Sequence, residues 1–419
     1  MERADLIRLL GAADVLAETR ATVVVEEREP GRFIEAFTEA VTTGGTVFLA
    51  DPTWGAVERA QFNALVSARE PAGVAGGGRG GWLCIPTGGS SGKLKLARHD
   101  EGTVAAAVNG FCAHFGVKQV NVVGLLPLYH VSGFMAWMRT VLTGGSYLPW
   151  SWKAVEAGER PALPADAGAE GGDWFLSLVP TQLQRLLGDR EAEDWLRGFR
   201  AVFIGGGPAW PELVEAGARA RLPLAFSYGM TETAAMVTAL RPEEFLTGGR
   251  GSGAALPHAQ VVLDGEGRAG IGGASLFRGY WPETRTGAMW WTEDLGRWDE
   301  RGSLHVLGRR DALIITGGEK VDPAEVEAAL RATGAFADVA VVGVPDAEWG
   351  EAVVACYPFG EGECARDETE INQWLAVILA AYKRPRRYVA VPVAEWPRNA
   401  QGKVNRAALR ARAGGGLDL

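Results

Sequence analysis

The chain has 419 residues, with 42 Lys and Arg against 51 Asp and Glu for a formal net charge of −9; 47% of residues are hydrophobic and 22% charged. That balance is ordinary for a globular protein long enough for two or more domains, and its acidity excludes a broad nucleic-acid-binding face, which needs clustered Lys and Arg. The longest apolar stretch, from Val120 to Trp150, is broken by His130, Arg139 and several glycines, so no membrane span is expected.

The N-terminus (Met1 to Asp5) carries acids and lacks an apolar run, so no signal peptide is expected. Thr22 to Val25 and Thr46 to Ala50 read as buried β segments, with Phe33 to Val41 a helix between them. Trp82 to Ile85 reads as a short strand. Asp100 or Thr103 can cap a helix whose apolar positions Val104, Val108, Phe111 and Phe115 recur at helical spacing. Between strand and helix, Thr87 to Lys95 is a loop of small residues with three hydroxyls (Thr87, Ser90, Ser91) and the lysines Lys93 and Lys95. Glycines let backbone N–H groups approach an anion, hydroxyls donate, and ammonium groups offset charge, so the loop suits a polyphosphate. It is not a Walker loop: Gly88 and Gly92 enclose three residues rather than four, and Leu94 stands where Ser or Thr should follow the Lys. Alone, the stretch equally fits a flexible surface turn.

Val120 to Leu126 is a further apolar strand ending at Pro127, followed by a helix through Phe134, Trp137, Met138 and Val141. Lys153 to Asp173 has no periodicity and reads as a surface excursion. Ala201 to Ile204 and Leu222 to Phe226 are strands running into glycine-bearing turns. Strands alternating with helices predict a largely parallel α/β core whose ligands gather beyond the carboxyl ends of the strands. Gly248 to Gly273 is dense in glycine and predicts a small β subdomain. After Gly308-Arg309-Arg310-Asp311, Asp322 to Glu325 reads as a capping box with Pro323 at the first helical position, Val321 and Val326 as its staple, and Gly334 as the stop. Strands Val339 to Val344 and Ala352 to Tyr357, an amphipathic helix carrying Ile371, Leu375, Ile378 and Tyr382, and a strand Tyr388 to Val393 complete the chain. The predicted organisation is an α/β domain over 1–308, mostly parallel sheets flanked by helices with a small β subdomain, then an α+β domain over 309–419. Cys84, Cys112, Cys356 and Cys364 form no CxxC pair, as expected of reduced thiols in a cytoplasmic protein.

Five segments stand in a telling order: Thr87 to Lys95; Pro127-Leu128-Tyr129-His130-Val131-Ser132-Gly133; Tyr228-Gly229-Met230-Thr231-Glu232-Thr233; Trp291 to Gly296 with Gly308 to Lys320; and Pro397-Arg398-Asn399-Ala400-Gln401-Gly402-Lys403-Val404. Together they resemble the adenylate-forming superfamily of acyl-CoA synthetases, adenylation domains and luciferases, over residues 82 to 410. The resemblance implies ATP, Mg²⁺ and coenzyme A as reactants or cofactors. Thr87, Ser90, Ser91, Gly92 and Lys95 would hold the β- and γ-phosphates, and Gly205, Gly206, Gly207 and Tyr228 would line the adenine. Thr231 would contact the α-phosphate, Glu232 would bind Mg²⁺, and Asp294 with Arg309 would hold the ribose. Lys403 would be the catalytic lysine of the first half-reaction, on a mobile C-terminal domain turning about Asp311, and Gly317 and Gly318 would help form the CoA tunnel. A basic cluster, Lys383, Arg384, Arg386 and Arg387, would serve CoA phosphates or stand as a solvated charge run. The sequence departs from the family pattern at Gly88, Leu94 and Glu293.

His130 would gate the acyl pocket. Arg139, nine residues further on, resembles the o-succinylbenzoate–CoA ligase branch of menaquinone and phylloquinone biosynthesis. There His130, Ser132 and Arg139 would line a pocket for an aromatic dicarboxylate; the alternative for Arg139 is an internal ion pair. Other readings of the chain are another acyl- or aryl-CoA synthetase, a stand-alone adenylation enzyme loading a carrier protein, or a silent nucleotide-binding scaffold. Oligomerisation is left open.

Overall fold

The computed structural model describes residues 3–11, 21–68, 81–88, 93–163, 173–360, 367–398 and 404–414. Ser90, Ser91, Gly92 and Lys403, together with Cys364, lie outside these residues. Contacts divide the chain into two units: Met1–Ala209, Glu215–Thr292 and Gly296–Val306 in the first, and Trp210–Val214, Glu293–Leu295 and Leu307–Leu419 in the second.

The first unit holds two sheets flanked by helices. One runs β1 (Val23–Val25), β2 (Val47–Leu49), β3 (Leu83–Gly88) and β4 (Leu94–His99), parallel across β1–β3 and antiparallel between β3 and β4. The other comprises β5 (Val120–Gly124), β6 (Tyr147–Pro149), β7 (Asp173–Leu178), β8 (Ala201–Ile204), β9 (Leu224–Met230), β10 (Ala235–Ala239) and β11 (Ala254–Ala255). Its order is β11-β10-β9-β8-β7-β5-β6, and every pair from β6 to β9 is parallel. The β5, β7 and β8 strands are almost entirely apolar, as strands covered on both faces must be. A third sheet orders β12 (Ala259–Leu263), β13 (Arg268–Gly273), β14 (Met289–Trp298) and β15 (Leu304–Arg309).

Helices α1 (Arg3–Leu9), α2 (Pro30–Thr42), α3 (Ala56–Val66), α4 (Glu101–Phe115) and α5 (Val131–Thr143) belong to this unit. Phe33 and Phe37 of α2 pack on α5, with the Phe37 ring 5.1 Å from Phe134 and 5.4 Å from Trp137, edge to face. Each such fully buried ring contributes about 1.5–3 kcal/mol. A second core joins Phe111 and Phe115 of α4 to Phe175 and Phe203 of the sheet.

The second unit is an α+β body. Its sheet contains β16 (Ile314–Thr316), β17 (Glu319–Val321), β18 (Ala340–Asp346), β19 (Gly350–Phe359) and β20 (Arg387–Pro392), with helices Pro323–Ala332, Glu368–Ile378 and Arg406–Gly414. The fold is the expected α/β class, and among the described residues no helix is long and apolar enough to cross a membrane.

Several local expectations are corrected. Leu94–His99 is a strand antiparallel to β3, so more than a loop separates Trp82 to Ile85 from the following helix. The β9 strand extends to Met230, which puts Tyr228 and Gly229 on it instead of in a following turn. Trp152–Glu156 is a helix within the expected excursion. Asp322 caps its helix by accepting from the Ala324 N–H at 2.9 Å, but Glu325 does not complete a box: both its oxygens take the Lys383 ammonium at 2.7 Å. Tyr382 falls in a 3₁₀ turn beyond the helix, because the backbone turns extended at Leu379. The neighbouring arginines also have internal partners: Arg384 donates to the Leu379 carbonyl, Arg387 to that of Ala413, and Arg386 lies 3.9 Å over the Trp349 ring.

Gly229 sits where a Cβ would meet the Ala235 carbonyl oxygen at 2.0 Å, whereas a Cβ on Gly207 would meet nothing within 4 Å. Gly229→Ala is therefore expected to destabilise the protein by about 1–3 kcal/mol, and Gly207→Ala by less than about 0.5 kcal/mol. Urea denaturation of both variants checks the difference; equal midpoints would show that the β9–β10 approach is not tight.

Candidate functional site

The β3–β4 register pairs Thr87 with Lys95 and Gly88 with Leu94; Ser90, Ser91 and Gly92 lie outside the described residues. The Leu94 N–H donates to Gln61 Oε1 at 2.7 Å. The Lys95 ammonium stands 4.7 Å over the Tyr280 ring. At the far end of β4, Asp100 caps α4 through the Thr103 N–H at 2.8 Å while the Thr103 hydroxyl accepts from the Asp100 N–H at 3.1 Å, so the two candidate caps act together. Arg278 adds a fork onto Asp100 at 2.6 and 3.1 Å.

Between β9 and β10 the chain reverses over Thr231–Thr233. The Thr233 hydroxyl accepts from the Met230 N–H at 3.1 Å and reaches the Ala235 carbonyl at 2.6 Å, and Ala234 and Ala235 adopt φ of 50° and 78°. Left-handed alanines are strained, and such strain gathers at functional turns. The reversal buries Thr231 and Glu232. The Glu232 carboxylate accepts the Tyr280 hydroxyl at 2.5 Å, and its carbonyl accepts the Phe277 N–H at 2.8 Å. His99, fully buried, donates from Nε2 to the Thr231 carbonyl at 2.7 Å and sets Nδ1 3.1 Å from the Thr103 hydroxyl. A carbonyl only accepts, so the Nε2 position carries the proton. Burial pushes His99 down to about 4, against the backbone bond to Thr231 and the Asp100 charge.

Gly205, Gly206 and Gly207 follow β8 directly, and Tyr228 lies on the adjacent parallel β9 just past the residue paired with Ile204, so the two sets lie at the same end of neighbouring strands. His130 is the N-cap residue of α5, its Nε2 3.5 Å from the buried Asp51 carboxylate. Burial works to raise Asp51, but bonds from His130 and from the Thr53 hydroxyl and N–H hold it below the usual range. Ser132 sits in the first turn of α5, partly buried. Arg139, on the same helix, is 5% exposed and lies 4.3 Å over the Phe111 ring, and its Nε has no hydrogen-bond partner. No internal ion pair meets it among the described residues; burial pushes it down to about 10, with only the Cys112 thiol opposing.

In the second unit, Arg309 brings Nη1 to 3.3 Å from Asp294 and forks onto Asp311 at 2.8 and 2.8 Å. Glu293 is taken by Arg310 at 2.9 Å. Gly317 and Gly318, at φ of 59° and 83°, make the two-residue turn between β16 and β17 that only glycines enter freely. Arg398 and Val404 form an antiparallel bridge flanking the segment of Lys403.

Among the described residues no group of three or more His, Cys, Asp or Glu could hold a metal by itself. Mg²⁺ takes one or two carboxylates and fills its octahedron with phosphate oxygens and water. A hard oxygen donor such as Glu232, one oxygen already fixed by Tyr280, fits that need. Sequence reasoning missed Asp51, His99 and Tyr280. Each acts on a partner 79, 132 or 48 residues away, and no local pattern marks it.

Residues 11–281 match the AMP-binding enzyme family and residues 325–403 its C-terminal domain. The chain is 35% identical over 301 residues to a 2-succinylbenzoate–CoA ligase of Geobacillus kaustophilus, covering 68% of this chain and 59% of that protein. It is 32% identical over 346 residues to one of Bacillus cereus, covering 78% and 69%. The chain thus spans about 59% of the length of the Geobacillus relative. Among solved structures, the o-succinylbenzoate CoA synthetase of Bacillus subtilis in complex with an acyl-adenylate superposes with a TM-score of 0.75 at 22% identity, covering 97% of this chain and 91% of that one. ATP-bound MatB of Rhodopseudomonas palustris gives 0.77 at 24%, covering 98% and 92%.

His99 and His258 are both held down to about 4 by burial, below the ordinary value of 6.5. A histidine whose folded pKa is depressed leaves stability intact above 6.5 and removes it as pH falls toward 4. Acidification from pH 7 to 5 is therefore expected to cost on the order of 1–2 kcal/mol per histidine. Urea midpoints at both pH values should converge in His258→Gln relative to wild type; an unchanged drop would show that His258 carries none of it.

Proposed function

Because the chain belongs to the AMP-binding enzyme family, we propose that it is an ATP-dependent, AMP-forming acid–thiol ligase that converts o-succinylbenzoate to its CoA thioester in menaquinone or phylloquinone biosynthesis, in the cytoplasm. The observation that carries the choice of acid is Arg139: a buried guanidinium in an apolar wall, without a carboxylate of its own chain among the described residues. The curated relatives named as 2-succinylbenzoate–CoA ligases support the same choice.

In the first half-reaction the succinyl carboxylate attacks the α-phosphorus of ATP. A new O–P bond forms, the α–β bridge breaks, and pyrophosphate leaves. Thr87, Ser90, Ser91, Gly92 and Lys95 hold the leaving phosphates, Gly205 to Gly207 and Tyr228 line the adenine, and Asp294 with Arg309 holds the ribose. Thr231 contacts the α-phosphate. Glu232 would hold a Mg²⁺ ion, which would neutralise phosphate charge there. The Lys403 ammonium offsets the charge shared by the two reacting anions. In the second half-reaction the CoA thiol attacks the acyl carbonyl, the thiol gives up its proton, and AMP leaves. For that step residues 309–419 turn about Asp311 and bring the Gly317–Gly318 turn to the thiol's path. His130, steadied by Asp51, stands at the entrance to the acyl pocket, Ser132 lines it, and the Arg139 fork takes the distal carboxylate.

Pyrophosphate release measured with a panel of acids, with and without CoA, tests this. Release with o-succinylbenzoate followed by CoA thioester formation is expected; release without thioester would favour carrier-protein loading, and none with any acid would favour a silent scaffold. Arg139→Ala is expected to raise the KM for the acid at least ~10-fold, the scale of a lost charge-assisted hydrogen bond, and to leave the KM for ATP within about twofold. Equal changes in both would remove Arg139 from the acyl pocket.

A further inference from the structure

We propose that Tyr280 is a positioning residue of the polyphosphate site, one whose hydroxyl aims the Glu232 carboxylate while its ring seats the Lys95 ammonium. This rests on the reading of Glu232 and Lys95 as the metal- and phosphate-facing groups.

Tyr280 is placed by the two segments it serves. It forms a bridge with Ala97 of β4, and the flanking Arg278 and Trp281 N–H groups donate to the Arg98 and Leu96 carbonyls at 2.8 and 2.8 Å, so the tyrosine is stitched to the strand that carries Lys95. Three residues earlier, the Phe277 N–H donates to the Glu232 carbonyl at 2.8 Å, tying the same segment to the Thr231–Thr233 reversal. The phenol ring is fixed edge-on by Phe277 at 4.9 Å and Trp290 at 5.7 Å. Ring direction is thereby set by packing and backbone bonds before any ligand arrives.

The two charges at its ends are what make this more than packing. The Glu232 carboxylate is buried, takes the Tyr280 hydroxyl at 2.5 Å, and has no cationic side chain paired to it among the described residues. Lys95 has no carboxylate paired to it among them either; its ammonium rests 4.7 Å over the π-face. Opposite charges this near to one aromatic ring would ordinarily close on each other. Here one phenol meets both, its face giving the ammonium a weak partner and its hydroxyl giving the carboxylate a neutral donor. Both charges stay available, one for phosphate oxygens and one for a cation bridging those oxygens.

Tyr280→Phe deletes the hydroxyl and keeps the ring; Tyr280→Leu deletes both. Equilibrium ATP binding to the full-length protein, measured by titration calorimetry with EDTA, at limiting Mg²⁺ and at saturating Mg²⁺, separates the two roles. Tyr280→Phe is expected to weaken ATP binding roughly 5–10-fold at limiting Mg²⁺, the scale of one hydrogen bond to a carboxylate. The loss should close at saturating Mg²⁺ and be absent in EDTA. Tyr280→Leu should add a severalfold loss that persists in EDTA. A Phe variant that weakens ATP equally at every Mg²⁺ level, or not at all while Glu232→Gln shows a Mg²⁺-dependent loss, would overturn the role of Tyr280 alone. Absence of any Mg²⁺-dependent loss in Glu232→Gln would overturn the assignment of Glu232, and the role of Tyr280 with it.

Discussion

The hydrogen bond from His99 to the Thr231 carbonyl is the constraint on which the arrangement of the first unit's site depends. It joins the end of β4, in one sheet, to the reversal after β9, in another. A neutral imidazole is required: Nε2 must donate to the carbonyl while the ring lies with no solvent contact, and burial keeps the second proton off. Around this bond lie the Arg278 fork onto Asp100, the Phe277 bond to Glu232 and the bridge between Ala97 and Tyr280. Three stretches far apart in sequence thus share one small hydrogen-bonded frame. Thr231 and Glu232 project from it in a turn whose alanines accept left-handed backbone because the Thr233 hydroxyl ties both ends.

What could be read from the sequence and what could not divides along the same line. The α/β class, the apolar strands at Val120 and Ala201, the Asp100 cap and the order of the five motifs are local facts, carried by periodicity, capping chemistry and composition. The β4 strand escaped because Leu94 to His99 does not alternate: Arg98 and His99 are both buried, and each is made tolerable by distant partners, Gly81 and Pro282 for the arginine and Thr231 for the histidine. Asp51, just past the end of a strand, binds Thr53 locally and carries no sequence pattern that marks it. Only the fold brings His130 to its other oxygen. Glu325 failed as a cap partner for a comparable reason, since Lys383, 58 residues on, offers it a full charge where the cap offers one N–H.

Candidate-site chemistry in the first unit is marked by charges that no opposite charge meets among the described residues. Glu232 and Lys95 both rest on the phenol of Tyr280. Elsewhere on the same chain, charges are paired freely: Arg278 with Asp100, Arg250 with Glu215, Arg406 with Glu327. The contrast between these pairs and the unpaired groups is what singles out the latter, because an unpaired charge in low dielectric is retained only where something else compensates it.

Arg139 is the extreme case. Burial depresses its guanidinium only to about 10, so at neutral pH it remains a buried cation over the Phe111 ring. The Phe111 face returns only a fraction of the lost hydration: cation–π contacts contribute about 2 kcal/mol when desolvated, whereas removing an ion from water costs several. A ligand carboxylate would close that deficit. A ligand ammonium would enlarge it, placing a second positive charge in the same apolar wall. If Arg139 faces the acid as proposed, its sign orders the candidate substrates, dicarboxylic acids first, simple acids next and amino acids last.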